Sequence, residues 1–143
     1  MTLERTRRAD YRRFEPIETR WSDNDVYGHV NNVVYYAWFD TAVNRMLIAE
    51  GLLDIQGGDE SIGLVVETGC RYFASTAFPD AITAGIRVAK LGTCSVRYEI
   101  GLFRGDEDEA AAVGFFVHVY VDRETRRPKA LGEAMRAFLT RLT

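Results

Sequence analysis

Arg20-Trp21-Ser22-Asp23-Asn24-Asp25-Val26-Tyr27-Gly28-His29-Val30-Asn31-Asn32 is the stretch on which the reading of this chain turns. It packs two carboxylates, a glycine, a histidine and two asparagines into a turn and runs straight into a long apolar segment. Asn31 or Asn32 is a good helix N-cap, and Val33 to Glu50 reads as a helix ended by Gly51. Apolar residues from Val33 through Trp38 and Phe39 to Met46, Leu47 and Ile48 cover most of its circumference. A helix so apolar has to be wrapped by other structure. An acid/base group held beside the open N–H groups of such a helix N-terminus is equipment for hydrolysing a carbonyl compound.

The flanking sequence supplies the wrapping. Phe14 to Trp21 alternates like a strand, and Pro16 assigns it to a sheet edge or a bulge. Residues 54 to 62 read as a loop. Beyond it, Gly63 to Phe73, Ala81 to Leu91, Thr93 to Phe103 and Ala110 to Val121 are rich in Val, Ile, Tyr, Phe and Thr and predict four strands. Turn signals at Phe78-Pro79-Asp80, at Gly92 and in the acidic run Gly105 to Glu109 separate them, and connections this short predict an antiparallel meander. Pro128 to Leu142 returns to helical spacing, with Pro128 at the helix start.

The fold class is therefore α+β, an antiparallel five-stranded sheet wrapped around a long central helix, with residues 1–143 as one domain. Residues 1–13 carry Arg5, Arg7, Arg8, Arg12 and Arg13 and are expected as a loosely held tail, the other reading being that the arginines greet an anionic ligand. A single sheet leaves its outer face and edges uncovered, and a symmetric homodimer or a dimer of dimers is the economical cover.

Composition narrows the classes. With 143 residues, 47% hydrophobic and 27% charged, the chain is long enough to bury a core without staples. A net charge of −3 argues against a nucleic-acid binder. No run approaches the roughly 18 apolar residues of a membrane span, and no signal-peptide pattern opens the chain, so a cytoplasmic location without membrane attachment is expected. Cys70 and Cys94 lie in strand-like runs without CxxC spacing and read as reduced thiols. His29 and His118 stand far apart with no metal-ligand spacing, so no metal or cofactor is implied. His118, between Val117 and Val119, reads as a satisfied histidine at a sheet or subunit contact.

The run Asp23-x-Asp25-x-x-Gly28-His29-Val30-Asn31-Asn32-x-x-Tyr35, followed by a buried helix and strands, resembles the hotdog-fold acyl-thioester hydrolases of the 4-hydroxybenzoyl-CoA thioesterase-like superfamily. Cys70-Arg71-Tyr72-Phe73, Lys90-Leu91-Gly92 and Val117 to Asp122 followed by Arg127-Pro128 look like later landmarks of the same proteins. The resemblance implies a thioesterase in which Asp25 is the catalytic carboxylate, as general base or nucleophile, and the backbone N–H of Asn32 is the oxyanion donor. In the plant-type acyl-carrier-protein thioesterases that share His-Val-Asn-Asn, an aspartate, an asparagine and this histidine act together. The matching positions here are Asp25, Tyr27 and His29, with tyrosine in place of the asparagine, so His29 is either a participant or a support of the loop.

Gly28 would let the thioester approach the main chain, or supply a positive φ. Asp23 reads as a carboxylate that bonds the turn's own N–H groups. Tyr35 is a candidate lining of the acyl site, and Arg71, Lys90 and Arg97 are candidate partners for the phosphates of an acyl-CoA, an acyl-carrier-protein thioester being the other substrate form. A non-catalytic acyl-thioester binding protein and a hotdog hydratase or dehydratase are the rival functions.

Overall fold

The computed structural model describes residues 3–143, and the first two residues of the expected tail lie outside them. The long apolar segment forms α1 (Asn32–Ala49). Asn31 caps it, its Oδ1 accepting from the Val33 N–H at 3.2 Å, and Gly51 ends it in the left-handed region at φ +70°. Strands β1 (Arg13–Glu18), β2 (Ser61–Tyr72), β3 (Ala81–Leu91), β4 (Ser95–Arg104) and β5 (Ala112–Asp122) form one sheet in the order β1-β3-β4-β5-β2, and every neighbouring pair is antiparallel. Pro16 sits in β1, an edge strand, as its missing N–H requires.

Only β3, β4 and β5 run as a meander. The expected hairpin from β2 to β3 is absent, because β2 crosses over to pair with β5 at the far edge. Residues 73–80 make that crossing, and their polar groups are bound elsewhere: the Phe73 and Ala74 N–H groups donate to the Ala111 carbonyl and the Phe78 N–H to Asn24 Oδ1.

The core lies between α1 and one face of the sheet. Phe39, Val43, Met46 and Leu47 of α1 pack against Ile86, Ile100, Leu102 and Phe116. Gly114 of β5 has no side chain where the Phe39 ring rests. The wrap is one-sided in the single chain, and Val33 and Ile48 of α1 stay exposed.

The outer face of the sheet carries a second cluster of Leu3, Tyr11, Phe103, Ala110 and Val113. The expected loose tail is therefore fastened from Leu3 onward. Tyr11 lies over Gly85 and Gly101, where a Cβ would approach its ring to 2.7 Å, and its hydroxyl bonds Thr6 Oγ1 at 2.9 Å. Three of the tail's arginines engage the protein's own acidic turn: Arg7 pairs with Asp108 at 2.9 Å and Arg5 with Glu109 at 3.4 Å, while Arg8 donates to the Glu107 and Gly105 carbonyls.

The terminal helix α2 (Glu133–Thr140) starts five residues beyond Pro128. Residues 127–131 are extended instead, because Lys129 N–H bonds the Tyr120 carbonyl and Leu131 N–H bonds the Thr93 carbonyl. Among the described residues no helix is long and apolar enough to cross a membrane.

Candidate active site

The motif folds as a tight loop whose own backbone closes it. Asn24 and Val30 pair across its neck, the Asp25 N–H donates to the His29 carbonyl at 2.7 Å, and the Gly28 N–H to the Asp25 carbonyl at 3.1 Å. Gly28 turns the chain at φ +80°, a conformation that disfavours any side chain. The loop is tied to the body through Val30 N–H to Thr76 O at 2.8 Å and Asn31 N–H to Asp23 O at 2.8 Å.

The two carboxylates are used differently. Asp23 is buried, and its oxygens accept from the Arg20 backbone N–H at 2.8 Å and from the Arg20 guanidinium at 2.8 and 3.0 Å. It holds the turn. Asp25 is half-buried and binds only the Tyr27 N–H, through Oδ1 at 2.8 Å. One oxygen anchors the group, and Oδ2 has no partner among the described residues.

At the start of α1 the N–H groups of Val33 and Val34 are occupied by Asn31, through its side-chain and main-chain oxygens. The Asn32 N–H has no acceptor among the described residues, as expected at the first turn of a helix. Asn32 lines a cavity of about 300 Å³ together with His29, Val30, Tyr35, Tyr72 and residues 73–75. Tyr72 donates its hydroxyl to the Asn32 carbonyl at 3.0 Å and meets the Tyr35 ring edge-on with centroids 4.9 Å apart. Tyr35 in turn bonds Thr76 Oγ1 at 2.8 Å. Burial raises the pKa values of Tyr35 and Tyr72 and pushes the nearby Cys70 thiol up to about 11, so all three groups are uncharged at neutral pH.

The structure brings His29, Asn32 and Tyr35 together around this cavity. Asp25, Tyr27 and Gly28 sit on the adjoining loop but are not its walls in the single chain; Tyr27 is 80% exposed. Arg71, Lys90 and Arg97 lie elsewhere, on the outer face of the sheet. Arg71 donates to the Leu3 carbonyl at 3.1 Å, Arg97 stacks 3.8 Å over the Phe115 ring, and Lys90 is exposed opposite Arg97 in the β3–β4 register.

Sequence reasoning gave no role to Tyr72 or Thr76. Tyr72 stands two residues after Cys70, on the same face of β2, and that spacing is the only sequence signal that could have brought it to the helix terminus. Thr76 lies in an irregular segment with no motif, and only the tertiary contact reveals it.

The Thioesterase-like superfamily model matches residues 19–139, and the chain belongs to that superfamily. Thioester hydrolysis is its chemistry at family level. No curated protein matches the chain. The crystal structure of the PA5185 protein from Pseudomonas aeruginosa PAO1 is 56% identical, with 98% of this chain and 97% of that chain covered and a TM-score of 0.93. SAV2348 from Staphylococcus aureus, solved in complex with CoA, is 16% identical over 90% of this chain and 82% of that one, TM-score 0.81. Slr0204 from Synechocystis, a 1,4-dihydroxy-2-naphthoyl-CoA thioesterase, is 14% identical over 90% and 96%, also with a TM-score of 0.81. The last two share the fold.

Proposed function

We propose that this protein is a cytoplasmic acyl-CoA thioesterase that acts as a homodimer, with Asp25 as general base or nucleophile and the Asn32 N–H as oxyanion donor. The observation that carries this is the pairing of two unspent groups across one loop. Among the described residues Asp25 keeps a carboxylate oxygen free, and seven residues on Asn32 keeps an N–H free at the positive end of α1. A thioester carbonyl oxygen set against that N–H would develop its negative charge there, beside the loop that carries Asp25. Water then adds to the acyl carbon, the C–S bond breaks, and the proton taken from water goes to Asp25 and on to the leaving thiolate.

His29 borders the same cavity as a second polar group, Tyr35 walls it, and Tyr27 and Gly28 present the loop to the substrate. That Asp25 is not a wall of the cavity in the single chain supports assembly across a subunit boundary. Arg71, Lys90 and Arg97, on the outer sheet face, then serve a CoA phosphate only where the nucleotide crosses between copies.

Free-thiol release from acyl-CoAs of graded chain length tests the assignment, with wild type beside Asp25→Asn. Turnover confined to wild type supports it. A folded wild-type protein that releases thiol from neither CoA nor carrier-protein thioesters overturns it.

A further inference from the structure

A second chamber, of about 570 Å³, opens at the other end of the molecule, under the C-terminal end of α1. Its apolar walls include Leu47, Leu52, Ile62 and Met135, and its inner end is made by His118 and Tyr120 of β5. That volume is in the range of small-molecule sites. The polar end is unsatisfied: His118 is 4% exposed, its ring makes no hydrogen bond among the described residues, and Nδ1 is sealed from solvent without a partner. The buried Tyr98 hydroxyl, behind the His118 ring at 5.5 Å between centroids, is also unpartnered, and the Tyr120 hydroxyl reaches only the Met135 sulfur at 4.0 Å. Buried polar groups are normally paired, so these two orphans, with the His118 ring itself on the chamber wall, mark a place where something else supplies a partner.

The chemistry of that partner follows from the surroundings. Burial lowers the His118 pKa and raises that of Tyr120 to about 12, so both present as neutral groups. The cations of the rim, Lys129 and Arg123, already face Glu60 at 3.3 Å and the Asp59 carbonyl at 2.7 Å, and with Asp59, Glu60 and Glu133 beside them the rim is net acidic, which disfavours a carboxylate. A hydroxyl is a small neutral group that both donates and accepts at one atom, and it suits imidazole in either tautomer beside a phenol.

We propose that this chamber binds the hydroxyl end of a neutral, otherwise apolar molecule, with His118 and Tyr120 as its hydrogen-bond partners. Gly63 helps to keep it open to the β2 edge, since a Cβ there would approach the Tyr120 ring to 3.0 Å. Two sources share this chemistry. One is a free alcohol. The other is the far end of a hydroxylated acyl group, and this arm rests on the thioesterase and homodimer assignments. The α1 helix is about 27 Å long, too far for an acyl group held at its own Asn32. Antiparallel pairing of two β2 edges, however, sets the Tyr72 end of one copy beside the Ser61 end of the other.

The test uses benzyl alcohol and toluene, which differ by the hydroxyl, and the imidazole NMR signals of the protein's two histidines. Benzyl alcohol is expected to shift the His118 signals, with His29 unmoved and toluene at least ten-fold weaker. Tyr120→Phe, which removes one oxygen from a packed ring, should erase that ten-fold preference while its amide spectrum stays dispersed. Equal binding of the two compounds, or no response at His118, overturns the proposal. Hydrolysis of 6-hydroxyhexanoyl-CoA and hexanoyl-CoA separates the sources. A preference for the hydroxylated ester that Tyr120→Phe abolishes assigns the acyl end, and equal turnover assigns the free alcohol. Turnover of neither ester removes the acyl-end source, while the NMR result stands on its own.

Discussion

Asp23 and Asp25 are two residues apart and spend their oxygens in opposite ways. Asp23 gives both to Arg20, whereas Asp25 keeps one back. Asp25→Asn is therefore expected to lower kcat by about 10²–10⁴ at unchanged thermal stability, the range of general-base assistance. Asp23→Ala should instead cost about 1–2 kcal/mol of stability, as the loss of a cap does, measured by urea unfolding. The turn-holding use of Asp23 was legible in the sequence, because its partner Arg20 is three residues away, whereas the choice of Asp25 came from the resemblance. Tyr72 and Thr76 were not legible, because their partners Asn32 and Tyr35 are about 40 residues away. His118 was read as satisfied, and the structure leaves it unpaired. Its pKa is held below 6.5 by burial, so the unfolded chain takes up a proton that the folded one resists. The stability it allows is complete above about pH 6.5 and declines as pH falls below that value. The urea midpoint should drop between pH 7.5 and 5.5, and His118→Phe should flatten that drop.

At the scale of elements, patterns with a fixed local period were readable. The helix from Val33 to Glu50 and the strand from Ala81 to Leu91 lie within a residue of where periodicity puts them, since capping and alternation are properties of adjacent residues. Pairing order was not readable, because nothing in the composition of β2 says that β5 rather than β3 receives it. Nor was the fastening of residues 3–12, since Tyr11 declares its role only where Gly85 and Gly101 line up as cross-strand partners. Tyr11→Ala empties a buried aromatic site and should destabilise by about 3 kcal/mol. Gly101→Ala pushes a methyl into the same ring from below, with an expected cost of about 1–3 kcal/mol. If the strap only covers the outer face, both variants keep wild-type kcat at a temperature where they are folded, a comparison that assays below the melting transition make directly.

For the whole molecule the open question of surface concentrates on β2. Its residues 63–68 are an exposed run that contains Leu64, Val65 and Val66, on a strand paired on one side only. An edge strand of this length carrying apolar side chains and no lysine invites another strand, and natural monomers avoid that arrangement. A two-fold axis through the middle of the run would pair the strand with its own copy and extend one sheet through both subunits. In that arrangement the Tyr72 end of β2, which adjoins the cavity, would face the second copy. Wild-type protein is expected to sediment at twice the chain mass. Val66→Lys replaces a side chain that is 59% exposed in the single chain, so it costs the monomer little, yet it places like charges across the proposed seam. The variant should sediment as a folded monomer and lose thioester turnover together with the dimer. A monomeric wild type with full activity would mean that one chain holds the complete site, and Asp25 would then have to reach the Asn32 cavity by movement of its own loop.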